Sequence, residues 1–128
     1  MPIDTTMKVL VIDDFESSAL MLKSQLKKLG FTHIEVATGG AEALARLRAA
    51  KDYRLIMSDW AMDSVDGLQV LQWVRSDVRL RGAKFLMVTG NTNAKDVAAA
   101  RAAGVSGYVI KPYNIAMLKQ RVEAAFGY

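Results

Sequence analysis

The chain is expected to fold as an α/β protein, a doubly wound five-stranded parallel sheet with helices on both faces. Three observations point there. Strand-like and helix-like segments alternate throughout the 128 residues. The runs at residues 8–12, 53–57 and 85–88 are apolar almost without interruption, as expected for strands covered on both faces rather than one. Polar residues of complementary chemistry, Asp14, Asp59, Thr89 and Lys111, fall at or just after the ends of the apolar runs. In open parallel sheets ligands bind outside the carboxyl ends of the strands, and right-handed crossovers put helices on both sides.

The elements follow in order. Lys8-Val9-Leu10-Val11-Ile12 is the first strand. Leu22, Leu26 and Leu29 then recur at helical spacing, with Gly30 as the C-cap. Residues 33–38 alternate like a second strand and Gly39-Gly40 breaks it, after which Leu44 and Leu47 mark a short second helix. A third strand ends at Ser58 or Asp59. The loop from Trp60 to Asp66 leads to Gly67 and a helix carrying Leu68, Leu71 and Val74. A fourth strand ends at Thr89. Asn91, Thr92 or Asn93 can cap a fourth helix that runs through Ala103 and stops at Gly104. That helix is mostly alanine, with good propensity but few large anchors, so it should be among the less firmly held elements. The fifth strand ends at Ile110, and the last helix carries Ile115, Leu118, Val122 and Phe126.

Composition narrows the function classes. A hydrophobic content of 52% over 128 residues suits one domain with a single core, here residues 1–128 with the core at about 7–126. The absence of cysteine excludes disulfides and thiolate metal sites. No apolar run approaches the ~18 residues a membrane span needs. The first residues lack the cationic and apolar regions of a signal peptide, so a cytoplasmic protein is expected. The formal net charge is +4 and the pI about 9.5, but the cations are dispersed. Their tightest group, Arg75, Arg79, Arg81 and Lys84, falls in an expected loop without interleaved aromatics and reads as a solvated surface. Neither direct nucleic-acid binding nor membrane binding is expected.

The strand ends carry the chemistry. Asp13 and Asp14 are adjacent carboxylates that repel each other unless a cation compensates, and magnesium takes one or two carboxylates together with waters and phosphate oxygens. The plainer alternative has Asp14 capping the first helix and Asp13 in solvent. Asp59, brought to the same crevice, is a third carboxylate, either a ligand only or a nucleophile that accepts a phosphoryl group; the plainer alternative is a turn-initiating Asp. Thr89 can bond a phosphoryl oxygen, with Gly90 leaving the approach open, or is simply a good strand residue. Lys111, before Pro112, finds partners in the carboxylates or a phosphoryl group, or is solvated. Tyr108 either swings between buried and exposed positions or is a static strand residue. Trp60 adjoins Asp59, Trp73 reads as packing or surface, and His33 as a lone histidine without function.

Taken together, Val9-Leu10-Val11-Ile12-Asp13-Asp14-Phe15, Ser58-Asp59-Trp60, Asp66-Gly67-Leu68, Leu86-Met87-Val88-Thr89 and Ala103-Gly104-Val105-Ser106-Gly107-Tyr108-Val109-Ile110-Lys111-Pro112-Tyr113 resemble the response-regulator receiver domains, and among them the single-domain chemotaxis type. The resemblance covers residues 7–126 in order and spacing. It implies the strand order 2-1-3-4-5, with Asp59 as phosphoacceptor. It implies Mg2+ held by Asp13, Asp14, Asp59 and the backbone carbonyl of Ala61. Thr89 and Lys111 would contact the phosphoryl group, and Tyr108 would reorient on activation. A sensor histidine kinase is the implied donor. The implied output is a changed face of the fourth helix, fifth strand and fifth helix, read by a flagellar motor switch protein or a phosphotransfer protein. Such a chain is a signalling phosphoacceptor that catalyses only its own phosphotransfer and dephosphorylation. The alternatives are a phosphorelay intermediate, or a receiver excised from a larger regulator.

The match has departures. Asp63 stands where the family usually has proline, which implies a more flexible and more acidic loop. Ala61 replaces an asparagine of the chemotaxis members, and Asn91 an acidic residue. Those positions line the path of the hydrolytic water, so the phosphoryl lifetime does not carry over. Rival uses of the same fold lack their motifs. There is no Thr/Ser/Gly-rich flavin-phosphate loop and no G-x-G-x-x-G, and no pair of aspartates spaced one apart ends the first strand.

Overall fold

A computed structural model describes residues 3–128. Its elements are β1 (Lys8–Ile12), α1 (Glu16–Lys28), β2 (His33–Ala37), α2 (Gly40–Ala49), β3 (Tyr53–Ser58), α3 (Gly67–Ser76), β4 (Lys84–Thr89), α4 (Ala94–Ala102), β5 (Gly107–Ile110) and α5 (Ile115–Ala125). All strand pairs are parallel, in the order β2-β1-β3-β4-β5. The register sets Ile12 beside Ser58, Ser58 beside Met87 and Thr89 beside Ile110, so the carboxyl ends of β1, β3, β4 and β5 share one edge.

The apolar runs behave as expected. In β1 successive residues point to opposite faces, and both faces are covered. Val9 and Val11 join a core with Leu22 and Leu26 of α1 and Leu118 and Val122 of α5. Leu10 and Ile12 join another with Leu47 of α2 and Val70, Leu71 and Val74 of α3. In α4 only Ala100 is buried, in keeping with its small side chains.

Local signals resolve at the element ends. Asn93 is the cap of α4, its side chain accepting from the backbone N–H of Lys95 and Asp96. Asp66 and Gln69 close a reciprocal capping box on α3. Gly104, at φ +91°, turns the chain out of α4 in a conformation that favours glycine. Gly67 is required by space: a Cβ there would collide with the carbonyl of Asp59 and lie 2.9 Å from the Met87 sulfur. This close approach seats the start of α3 under the end of β3. Asp14 does not cap α1. The N-cap position is Phe15, which has no side-chain cap, and its backbone N–H donates to Asp13 at 2.9 Å.

The expected basic loop is corrected. Lys84 opens β4, and Arg75 lies in the last turn of α3. The Arg75 guanidinium is a tie rather than a solvated charge. It donates to the carbonyls of Gly104 (2.9 Å), Arg81 (2.9 Å) and Ala83 (2.6 Å) and to the Ser106 hydroxyl (3.1 Å). That hydroxyl in turn accepts from the Phe85 N–H at 2.9 Å. One side chain therefore joins the α3–β4 and α4–β5 turns, which no short-range pattern announces because its partners lie up to 31 residues away.

Two stability predictions follow from these contacts. Arg75→Ala leaves three carbonyls without their donor and should cost about 2–3 kcal/mol in urea unfolding; a loss below 0.5 kcal/mol, the usual range for a plain surface change, would show the tie to be idle. The Asp77 carboxyl is held below its ordinary 3.8, first by the Lys51 ammonium hydrogen-bonded to it at 2.7 Å and further by the Arg79 and Leu80 N–H groups. A depressed folded-state pKa contributes stability that is present above the unfolded value and is lost as pH falls through the folded one. Asp77→Asn should therefore flatten the fall in stability below pH 3.8, as read by unfolding at several acid pH values.

Candidate functional site

The shared strand edge brings together residues far apart in the chain. Asp13 follows β1, its N–H donating to the Ala37 carbonyl, and only 5% of its surface is exposed. Asp59 follows β3, its N–H donating to the Ile12 carbonyl. Lys111 follows β5, its N–H donating to the Thr89 carbonyl, and its bond to Pro112 is cis. The sheet ladder thus continues one residue past each strand and fixes where the three side chains start.

The Lys111 ammonium lies 3.1 Å from Asp13 Oδ2 and 3.4 Å from Asp59 Oδ2. Each carboxylate is held at its other oxygen: Phe15 N–H donates to Asp13 Oδ1 at 2.9 Å, and Trp60 N–H to Asp59 Oδ1 at 2.7 Å. The pair is largely desolvated, with side-chain exposures of 7% and 14%. Two buried carboxylates so close would repel strongly without the bridging cation. The expectation of three converging carboxylates needs revision. Among the described residues no three acidic or imidazole side chains group at metal-binding spacing, and Lys111 compensates two of the acids.

Asp14 stands beside this pair, and its Oδ1 is buried with no hydrogen-bond partner. A buried carboxylate oxygen left unpaired is costly, and a bound cation is one way to satisfy it. Oxygen donors from Asp13, Asp14 and Asp59 with a backbone carbonyl such as that of exposed Ala61 would supply the hard ligands that Mg2+ takes, an ion that retains waters and needs few protein ligands. The donor chemistry fits such an ion; with Lys111 between Asp13 and Asp59, the three carboxylates would have to draw together to hold it.

Thr89 is 4% exposed, and its hydroxyl accepts from the Asn91 N–H at 3.3 Å. Asn91 is tied down further, its amide donating to Asp96 at 2.8 Å and its carbonyl oxygen accepting from Asn93 N–H at 3.0 Å. Tyr108 is half-buried against the α2/α3 core, and its hydroxyl is buried without a partner. Burial first, then the Asp96 and Asp59 carboxylates, pushes its phenol above the ordinary value. Trp60 serves Asp59 through its backbone, while its ring packs on the α2/α3 core. His33 is exposed at the start of β2, away from the site.

Two features escaped sequence reading. Tyr113, whose phenol is pushed up by burial and then by Asp13, borders the acidic pair. The Asn91–Asp96 bond spans five residues from loop into helix, a spacing no motif marks. An asparagine in the loop after β4 was the available signal.

The sequence pattern of the response regulator receiver domain family matches residues 9–123. The chain is 37% identical to chemotaxis protein CheY of Pseudomonas aeruginosa over 120 residues, covering 94% of this chain and 96% of that protein. It is 32% identical to chemotaxis protein CheY-3 of Vibrio cholerae over 124 residues, with coverage of 97% and 95%. Among solved structures, Vibrio cholerae CheY4 superposes with a TM-score of 0.86 at 29% identity, covering 94% of this chain and 98% of that one. With the matched pattern spanning nearly the whole fold and its acidic strand edge, the chain belongs to the response-regulator receiver-domain family.

Proposed function

We propose that the chain is a single-domain response regulator that accepts a phosphoryl group on Asp59 from a histidine kinase and signals through a protein partner. The observation that carries this reading is the Lys111 ammonium set between Asp13 and Asp59 beside the unpaired, buried Asp14 oxygen. An Asp59 oxygen attacks the phosphorus of a phosphohistidine. The P–N bond breaks, the imidazole leaves and takes up a proton, and an acyl phosphate forms. Phosphoryl transfer asks little covalent chemistry of a protein beyond positioning and charge stabilisation. Lys111 shifts from bridging carboxylates to meeting the new phosphoryl oxygens, and Thr89 supplies a hydroxyl from the adjacent strand. Asp13, Asp14, Asp59 and the Ala61 carbonyl would hold Mg2+, which would supply charge neutralisation on the transferring group. Water attack on the acyl phosphate resets the chain.

Output follows from the same neighbourhood. Thr89 moving toward the phosphoryl group gives up its bond from Asn91 N–H, and Tyr108 follows inward. The face of α4, β5 and α5 then changes its preference for a partner, a population shift between two arrangements. Chemotaxis signalling is favoured by the relatives' names; a flagellar motor switch protein as partner and a cytoplasmic location are what the family resemblance implies.

Asp59→Asn should abolish labelling by acetyl phosphate; labelling at the wild-type rate would remove Asp59 as acceptor. Asp14→Asn should weaken Mg2+ binding about tenfold or more in a tryptophan-fluorescence titration, since even supporting groups around metals carry that much; unchanged affinity would place the ion elsewhere. Lys111→Ala should leave Mg2+ binding nearly intact yet uncouple beryllofluoride binding from partner affinity, and a variant that no longer folds would assign Lys111 a structural role instead.

A further inference from the structure

The net charge of the chain is not spread evenly. Residues 46–54 carry Arg46, Arg48, Lys51 and Arg54 against Asp52, and residues 75–84 carry Arg75, Arg79, Arg81 and Lys84 against Asp77. The excess there is larger than the +4 of the whole chain, so the remainder is net negative. Both segments are helix-to-strand turns that meet at the amino-terminal edge of β3 and β4, the edge away from Asp59. The six residues of β3 separate the two edges by roughly 20 Å.

Some of these cations have structural employment. Arg46 pairs with Glu35 and Glu42, Lys51 with Asp77, and Arg75 with backbone carbonyls. Arg48 sits near the end of α2, where a cation complements the helix dipole. That leaves Arg54, Arg79, Arg81 and Lys84, at strand starts and in the turn. Among the described residues none of the four has a carboxylate within 4.0 Å. Arg54 and Arg79 line a cavity of about 260 Å³ together with Lys51 and Asp52. Val78, beside Arg79, is 72% exposed, one of the most exposed large apolar side chains of the chain.

We propose that this edge docks an acidic segment of a partner protein, its carboxylates meeting Arg54, Arg79, Arg81 and Lys84 and an apolar side chain covering Val78. Three of these four cations are arginines, whose planar forks suit paired carboxylates; Arg54 acts on Asp4 and Arg79 on Asp52 only from beyond ion-pair distance. Asp52 and Asp77 lie within the patch. Each is already paired with a lysine, Asp52 with Lys8 at 3.0 Å and Asp77 with Lys51 at 2.7 Å, so they interrupt the run of cations that a uniform phosphate backbone or an anionic lipid surface would track, whereas a protein segment can place neutral side chains opposite them. The Trp73 ring is already engaged by two cations, Lys51 at 4.6 Å and Arg48 at 5.7 Å from its centroid, with which a stacking base would have to compete. The docking edge leaves the Asp59 edge open, so a bound partner keeps the chain near a phosphodonor without occluding the acidic pocket.

The test uses the full chain and a fluorescein-labelled peptide of repeating glutamate and leucine, with its glutamine counterpart, followed by anisotropy. The glutamate peptide should bind and the glutamine peptide should not. The double variant R79E/R81E should weaken binding about tenfold or more, with Val78→Ser giving a smaller loss. Labelling of Asp59 by acetyl phosphate should be unchanged in these variants, which separates this edge from the acidic pocket. Equal binding of both peptides, no binding at all, or full affinity in the double variant would overturn the proposal. Tighter binding of duplex DNA or of phosphatidylserine vesicles, lost in the same variant, would overturn it in favour of a phosphate-bearing partner.

Discussion

The Lys111 ammonium, 3.1 Å from Asp13 and 3.4 Å from Asp59, is the contact on which the arrangement of the strand ends depends. Three strands deliver these residues to one edge because parallel pairing leaves no choice about where their carboxyl ends fall. Placing two desolvated carboxylates there would be unfavourable in isolation. A bridging cation makes the arrangement tolerable, although a buried ion pair of this kind is weak evidence for net stability. Its value lies in specificity and exchange. An ammonium shared between two acids can be redirected to new oxygens at modest cost, whereas an apolar packing contact cannot.

The surroundings are built to keep that contact in place while leaving room beside it. Gly67 lets α3 begin directly beneath the Asp59 carbonyl, and the capping box of Asp66 and Gln69 fixes that start. On the other side, Thr89, Asn91 and Asp96 form a chain of hydrogen bonds from β4 into α4. The helix at the far end of that chain buries only Ala100. A firmly held acid pair thus adjoins a lightly held helix, and the unpartnered Tyr108 hydroxyl lies near the junction. Elements that move in switching are drawn from the least firmly packed parts of a fold, so the division of packing fits the proposed signalling role.

The opposite edge shows the same economy of means with the other sign of charge. Arg75 gathers carbonyls from two turns much as Lys111 gathers carboxylates from two strands. The result is a molecule with an acidic pocket at one end of the sheet and an arginine-rich edge at the other. Net charge alone hides this, because a value of +4 describes a sum and not its distribution. Partner steering depends on the distribution.

The class of fold and the identity of the polar residues at the strand ends are legible in the amino-acid order alone. Hydrophobic runs and helical spacing are local signals, and helix-breaking Gly30 and Gly104 fall where these signals stop. Lys8–Ile12 was legible to the residue, and β3 to within one. Which charges meet is settled by the packing of distant strands. It set Lys111 between Asp13 and Asp59 across separations of 98 and 52 residues. It also chose Asn93 over its neighbours as a cap and left Asp14 unpaired rather than capping α1. Arg75 is the sharpest case, since its neighbours in sequence suggested an exposed basic loop while its partners come from two distant turns. Local pattern carries burial and periodicity; hydrogen-bond and charge partners are set by strand order and register, which a one-dimensional pattern does not contain.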